Sequence, residues 1–301
     1  MPQRIIPNIW CDRNAEEVGA FYASVFDNTS SRVTGRYPAD GLPEFQQEFA
    51  GQPVVVDVDL DGFRISLINA GSEFHPTPAI SFLVNVDARR FDGDEGAARA
   101  WINRTWTSLG EEGLALMDIG EYPYSALYGW IEDKYGVSWQ LKLTDPTAET
   151  VDEIVPMLMF NGAVQSRAEE AVELYISLLP GSGSRRVVEY PLTQMPDVGG
   201  NVRYEEFRLA GQDFAVAASP ADYDISFTPG LSLQVDCDGQ DEIDRLWDAL
   251  SAVPAAEQCG WLTDPFGVSW QIVPSNMAEL MQRPHAYEHM MQMKKLVIAE
   301  F

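Results

Sequence analysis

Short β-type runs alternate with segments of helical periodicity from the start of the chain. Ile5–Trp10 predicts a strand, and the apolar positions of Ala15–Phe26 recur at helical spacing. Asn14 occupies the predicted N-cap, ahead of two acidic residues in the first turn. Three more strands are predicted at Arg32–Tyr37, Val54–Leu60 and Phe63–Ile68. A hairpin turn at Asp61-Gly62 joins the last two, which gives the order β-α-β-β-β.

The same order of elements is predicted three more times. The second set comprises Ile80–Val86, a helix around Gly96–Leu109, Leu114–Ile119, Ala126–Glu132 and Ser138–Leu143. Residues 154–274 repeat both sets, with the last helix near Gln240–Leu250. Strands grouped around single helices predict an α+β fold.

An internal repeat supports this division. The pattern Gly-Trp-x-x-Asp-x-x-Gly-Val-Ser-Trp-Gln occurs at residues 129–140 and again at 260–271. Residues 144–147, Thr-Asp-Pro-Thr, have the turn chemistry of a linker. We therefore predict two domains of one kind, 1–146 and 151–275, followed by a Met-rich helical tail, 276–301.

Charge and composition restrict the function classes. The chain has 301 residues, 46 acidic and 20 basic residues, and a net charge of −26. So acidic a surface repels phosphate backbones and anionic lipids, which argues against nucleic-acid and membrane partners. An odd number of cysteines without a CxxC pair argues against a disulfide framework. With no long apolar stretch and no secretory signal pattern, a cytoplasmic location is expected.

The paired β-α-β-β-β sets and the closing Gly-Val-Ser-Trp-Gln strand resemble the vicinal-oxygen-chelate superfamily, which includes glyoxalase I, extradiol dioxygenases and bleomycin-resistance proteins. The closing strand is similar to the PhnB-like branch, often labelled 3-demethylubiquinone-9 3-methyltransferase. Met293-Lys294-Lys295 resembles the tail that ends many such domains. The resemblance implies tandem domains, each with two β-α-β-β-β sets curved around a cavity.

In that superfamily the first and last strands supply the metal ligands, commonly His or Gln early and Glu on the closing strand. The resemblance places the early ligand positions near Pro7, Ala79, Pro156 and Gly230, which have no donor side chain. The closing positions hold the neutral amides Gln140 and Gln271. Because a working site needs about three N or O side-chain ligands, no metal and no cofactor are predicted.

Two further motifs favour structural interpretations. Gly181–Ser184 follows a predicted helix and precedes a strand, which favours a helix-terminating turn over a nucleotide site. His285–His289 matches the H-x-x-E-H pattern of inverted zinc proteases, but the segment lies in the tail and few residues follow it. We expect a solvated helix face there, and we expect the apolar stripe of the tail to dock onto its own domain.

The candidate ligand-binding residues lie on or beside the strands of the repeat. Because side chains alternate along a strand, Gln140 and Gln271 can face the cavity only if Trp139 and Trp270 face the core. Asp133 and Asp264 are expected to cap the turns that follow them. The residues predicted to line the cavity are Gln140, Gln271, Trp10, Trp130 and Trp261.

These patterns support three hypotheses about function. The leading one is a protein that binds or sequesters a small organic molecule without a metal, as bleomycin-resistance proteins hold drugs. The first alternative is a metal-dependent isomerase, lyase or dioxygenase of the same superfamily, or a metal-independent enzyme. The second is a protein-interaction module that uses the tail. No catalytic residue is assigned, and both a monomeric pseudo-dimer and a homodimer are compatible with the repeat.

Overall fold

The computed structural model describes residues 3–147, 150–190, 202–219 and 225–301. Its strands and α-helices, in chain order, are β1 (Ile5–Asp12), α1 (Ala15–Val25), β2 (Thr29–Arg36), β3 (Pro53–Leu60), β4 (Phe63–Ala70), β5 (Ile80–Val86), α2 (Glu95–Leu109), β6 (Leu114–Tyr122), β7 (Ser125–Glu132), β8 (Ser138–Leu143), β9 (Ile154–Phe160), α3 (Ala168–Leu178), β10 (Gly183–Tyr190), β11 (Val202–Leu209), β12 (Gln212–Ala218), β13 (Leu231–Cys237), α4 (Gln240–Leu250), β14 (Trp261–Thr263), β15 (Ser269–Pro274), α5 (Met277–Leu280) and α6 (Ala286–Gln292). Short 3-10 turns lie at Glu44–Phe49, Ala88–Phe91, Gly162–Arg167, Pro254–Ala256 and Ile298–Glu300. Among the described residues, no helix combines the length and apolar character needed to cross a membrane.

The chain folds into two compact units. The first unit comprises residues 1–75 and 227–301, and the second unit is the continuous stretch 76–226. The second unit contains one β-α-β-β-β set from each sequence repeat. The first unit contains such a set from the first repeat, but from the second repeat it contains β13, α4, β14 and β15, one strand fewer than predicted, because the chain between α4 and β14 is short and forms only a 3-10 turn. The predicted domains 1–146 and 151–275 describe the repeat in the sequence, whereas the compact units divide the chain within both copies.

The first unit has a sheet with the strand order β14-β15-β13-β1-β4-β3-β2. Its two sets meet where β1 pairs antiparallel with β13, so that Asn8 lies opposite Ser232. On its other side β1 runs parallel to β4, with Asn8 beside Ser66. Helix α1 packs on the face that carries Val56. The approach is close, since a Cβ added at Gly19 of this helix would lie 3.4 Å from the Val56 side chain.

The second unit has a sheet with the strand order β10-β11-β12-β9-β5-β8-β7-β6. Here the two sets meet at the antiparallel pair β5 and β9, and β8 runs parallel to β5. Helix α2 covers the face that includes Gly129, where an added Cβ would lie 2.5 Å from the Trp106 ring. We call the opposite face of this sheet, which carries Gln140, the open face.

The local elements agree closely with the sequence pattern. The predicted limits of β5, β8 and α4 are those observed, and Asp61 and Gly62 have the positive φ values, 51° and 94°, of the predicted hairpin turn. Asn14 does occupy the N-cap of α1, but its side chain makes no capping hydrogen bond. The Ala15 N–H donates instead to Asn69 Oδ1 on β4, at 3.1 Å.

The predicted core positions of Trp139 and Trp270 and the predicted turn-capping roles of Asp133 and Asp264 are confirmed. Trp139 is 0% exposed and Trp270 is 1% exposed. Asp264 Oδ1 accepts the backbone N–H groups of Phe266 and Val268, which holds the turn closed. Its Oδ2 accepts the indole N–H of Trp270 at 2.9 Å, and Asp133 serves Trp139 in the same way.

The tail docks onto the first unit, as the apolar stripe predicts. Leu296 is 0% exposed and packs in a cluster with Val273, Met293 and Phe301. Backbone bonds anchor the tail, because the N–H of Cys259 donates to the carbonyl of Met293 and the N–H of Gly260 to that of Lys294. The H-x-x-E-H segment covers the N-cap and body of α6, and the side chain of His285 is 73% exposed, which agrees with a solvated face.

Candidate functional site

The open face of the second unit is built from the central strands of the sheet. Directly opposed residues in adjacent strands share a face, and the register sets Trp130 of β7 and Leu83 of β5 beside Gln140 of β8. The same register sets Tyr128 beside Lys142. Strands β9 and β12 extend the face with methionine and alanine side chains, among them Met157, Met159, Ala215 and Ala217.

Gln140 is held in one orientation at the centre of this face. The hydroxyl of Tyr128 donates to Gln140 Oε1 at 2.7 Å, and Gln140 Nε2 donates to Ser81 Oγ at 2.8 Å. Nε2 also lies 3.5 Å from the sulfur of Met157. Burial raises the pKa of Tyr128 well above its ordinary value, so this phenol stays a neutral donor. The amide is therefore a fixed part of a neutral hydrogen-bond chain.

Tyrosines flank this chain. Tyr124 and Tyr122 meet the Tyr128 ring edge-on, at centroid distances of 5.1 and 5.4 Å. They stack on each other at 5.8 Å. Trp130 donates its indole N–H to Ser138 Oγ at 2.7 Å, so its ring is fixed beside them. Together these side chains present aromatic surface with few unsatisfied polar atoms.

Residual exposure distinguishes the two faces of this sheet. Met159 and Trp130 on the open face each keep 8% of their surface accessible. Phe82, Trp139 and Phe214 on the opposite face are 0% exposed. The apolar side chains of the open face are thus packed against one another but are not sealed from solvent.

Lys142 brings a positive charge to this face, and the sequence analysis did not single it out. It lies two residues after Gln140 on the same strand and therefore on the same side of the sheet. Burial lowers the pKa of its ammonium group; to a smaller extent Glu206 raises this pKa and Arg186 lowers it further. The signal was present in the sequence, since a lysine at alternate spacing from Gln140 must share its face.

In the first unit the register sets Trp261 of β14 and Gln234 of β13 beside Gln271 of β15. Gln271 Nε2 donates to Ser232 Oγ at 3.0 Å. Trp10 meets Trp261 edge-on at 6.1 Å, and its indole N–H donates to the carbonyl of Gly71 at 2.7 Å. The structure thus brings together three of the predicted ligand-binding residues here, and Trp130 with Gln140 in the second unit.

The corresponding face of the first unit is polar. Asn8 Nδ2 donates to the Ile6 carbonyl at 3.0 Å and approaches Gln234 Oε1 at 3.4 Å. Gln234 in turn donates to Asp236, whose pKa is raised by burial against the opposing effect of its hydrogen bonds and of nearby arginines. The equivalents of Asn8 and Gln234 in the second unit are Met157 and Leu83, so the two faces have different chemistry.

The register corrects the early ligand positions that the resemblance implies. Pro7 and Gly230 do not flank Gln271; the inward positions on those strands are Asn8 and Ser232. In the second unit they are Met157 and Ser81 in place of Pro156 and Ala79. Pro7 and Pro156 are each one residue before the inward position, and a shift of one residue turns a side chain to the other face. Gly230 and Ala79 are each two residues before it, outside the strands β13 and β5.

The donor sets at these positions do not fit a divalent metal ion. The second unit offers a thioether, a hydroxyl and an amide oxygen already engaged by Tyr128, and the first unit offers Asn8, Ser232 and Gln271. Catalytic divalent ions favour imidazole and carboxylate ligands. Among the residues that the structure describes, no group of three His, Cys, Asp or Glu side chains is arranged to hold a metal.

Comparison with known proteins identifies the family. The family model described as 3-demethylubiquinone-9 3-methyltransferase matches residues 3–142 and again residues 152–273. The chain belongs to this family. No curated protein sequence matches it.

Several solved structures are similar to this chain. The PhnB protein from Bacillus cereus is 30% identical over 47% of this chain and 100% of its own, with a TM-score of 0.38. A protein from Pseudomonas aeruginosa is 18% identical over 47% of this chain and 97% of its own, with a TM-score of 0.36. Glyoxalase I from Zea mays is 10% identical over 92% of this chain and 95% of its own, with a TM-score of 0.50. The fold is that of the vicinal-oxygen-chelate proteins, in tandem.

Proposed function

We propose that this protein binds a small organic molecule on the open face of the second unit, without a metal ion. The observation that carries the proposal is the arrangement around Gln140, a fixed neutral amide among tyrosine, tryptophan and methionine side chains that retain some exposure. Ligand sites of small molecules are mostly apolar and contain a few well-placed polar groups. Trp10, Trp261 and Gln271 are a second candidate position for a ligand, in the first unit.

Blocking the face tests this proposal. N-phenyl-1-naphthylamine is a neutral aromatic probe that fluoresces when it leaves water, and we expect the full chain to bind it saturably. Ala217 lies on the open face and is 5% exposed, so Ala217→Phe fills space beside Met159. We expect this variant to weaken probe binding by about tenfold or more, the effect of losing roughly 1.4 kcal/mol.

The same substitution at an exposed alanine provides the control. Ala115 is exposed on β6, and Ala115→Phe should leave probe affinity unchanged. Both variants are first compared with the parent protein by thermal unfolding. Equal affinity of Ala217→Phe and the parent protein would contradict the proposed position of the site.

Native mass spectrometry tests the metal-free part of the proposal. The bare-chain mass should remain after addition of Zn²⁺ or Ni²⁺ at low molar excess. One tightly held ion per unit would overturn this part and would favour the metal-dependent isomerase, lyase or dioxygenase.

A further inference from the structure

We infer that the ligand of the open face is an organic anion and that Lys142 binds its charged group. This inference rests on the function proposed above and names the class of ligand. It assigns to Lys142 the role of a specificity-determining residue.

The position of Lys142 is the first argument. The register sets it directly beside Tyr128 on β7 and Asn85 on β5, one step along the face from Gln140. The ammonium group therefore borders the same aromatic surface that would receive the body of the ligand.

The second argument is that the charge of Lys142 is not neutralised. Within the described ranges Lys142 makes no hydrogen bond or ion pair, although it is largely removed from water. Its charged neighbours are Glu206 and Arg186, which face each other across β11 and β10. Glu206 therefore has two cations near it, Lys142 and Arg186, in a chain whose net charge is −26.

Comparison of the two units is the third argument. Lys142 pairs with Asn85 as Val273 pairs with Asp236, so Val273 is the equivalent residue of the first unit. Val273 packs in the cluster formed by the tail. The fold therefore accepts an apolar residue at this position, and a lysine is not needed to form the sheet.

These observations define the ligand. An oxyanion such as a carboxylate or sulfonate forms short, charge-assisted hydrogen bonds with an ammonium group, and burial strengthens them. The rest of the molecule would lie against Tyr124, Met157 and Met159. The ligand class is an aromatic or otherwise apolar monoanion.

Two fluorescent probes with one body test the inference. 8-Anilinonaphthalene-1-sulfonate is the sulfonate of the neutral probe N-phenyl-1-naphthylamine. Lys142→Met should weaken binding of the sulfonate by about tenfold, as expected when a single charge-assisted contact is lost, while binding of the neutral probe changes by less than about twofold. Lys142→Arg retains the charge and should restore sulfonate binding.

Lys134→Met is the matched control, because it removes the same charge from an exposed turn. It should leave both affinities unchanged. An equal loss of both probes in Lys142→Met, or an unchanged affinity for the sulfonate, would overturn the role of Lys142 and leave the site itself in place. If the parent protein binds neither probe, the proposed function fails and the inference fails with it.

Discussion

Trp139 donates its indole N–H to Oδ2 of Asp133, at 3.0 Å, in a part of the core where Trp139 is 0% exposed and Asp133 is 3% exposed. The other carboxylate oxygen accepts the backbone N–H groups of Tyr135 and Val137. One buried carboxylate thus satisfies three donors. This explains why the shared motif of the repeat contains an aspartate six residues before its second tryptophan.

Asp133→Ala should therefore destabilise the protein strongly. The change leaves the indole N–H and two turn amides without their partner, and a cost of about 2–4 kcal/mol in the free energy of unfolding is expected. Urea unfolding followed by circular dichroism measures it. Asp133→Asn keeps one acceptor for the turn, so it should cost less than the alanine variant. A loss below about 0.5 kcal/mol for Asp133→Ala would contradict the assigned role.

Tyr128→Phe probes the hydrogen-bond chain on the open face. It removes the hydroxyl that donates to the buried Gln140 Oε1 and should destabilise the protein by about 1–2 kcal/mol. Replacing both partners, in Tyr128→Phe with Gln140→Leu, should cost less than the sum of the two single changes. Strict additivity in this double-mutant cycle would show that the two groups are not coupled.

Lys142→Met should raise the stability of the protein at neutral pH by about 1 kcal/mol, because it removes a largely buried charge without a described partner. The folded-state pKa of Lys142 is lowered, so the cost of its charge is fully present below that pKa. As the pH rises through the lowered pKa toward the ordinary value of lysine, the cost disappears and the advantage of the variant should shrink. Unfolding at several alkaline pH values measures this; an advantage independent of pH would count against it.

The three thiols should differ in reactivity. Burial raises the pKa of Cys237 to about 12 and also raises that of Cys259. At pH 8 the thiolate fraction of Cys237 is then about one in ten thousand. Cys259, which is partly exposed, should react first with a thiol reagent. Cys11 and Cys237 should react only as the protein unfolds, and rapid labelling of Cys237 in the native protein would refute this.

Leu296→Ala tests the docking of the tail. Leu296 is 0% exposed, and its side chain lies against the backbone of Gly260, so truncation leaves a cavity and should cost about 2–4 kcal/mol. Leu114, which is 60% exposed, provides the control, and Leu114→Ala should change stability by less than about 0.5 kcal/mol. Similar losses for the two variants would contradict the packing of the tail.

The sequence predicted the local elements well because their signals are local. The runs that form β5, β8 and α4 carry their own periodicity. Alternation along the strand placed Trp139 and Gln140 on opposite faces, and the resemblance to the family implied that the glutamine faces inward. The sequence did not predict which strands pair, because nothing in the pattern of β1 specifies β13 as its neighbour. The same reason explains why the cap of α1 comes from Asn69, a residue on a different strand.

The candidate site was predicted in part. Gln140, Gln271 and the three tryptophans were identified from the repeat, and the structure brings them together within their units. The early ligand positions were assigned one or two residues away from the inward side chains, since a resemblance alone does not determine register. Lys142 lies outside the repeated motif, which ends at Gln140, so the repeat did not identify it.

The division of the chain into units determines the order in which the protein can fold during synthesis. All strands described in the second unit have been translated by Ala218, so this unit can fold while the C-terminal part is still being made. The first unit cannot complete its sheet at that stage, because β1 pairs with β13, which is made later; in this pair Ile5 lies opposite Val235. The strands β1 to β4 are therefore made before those of the second unit but acquire a complete sheet after them. Until then the edge of β1 that later pairs with β13 presents unpaired backbone groups, at which other chains can pair.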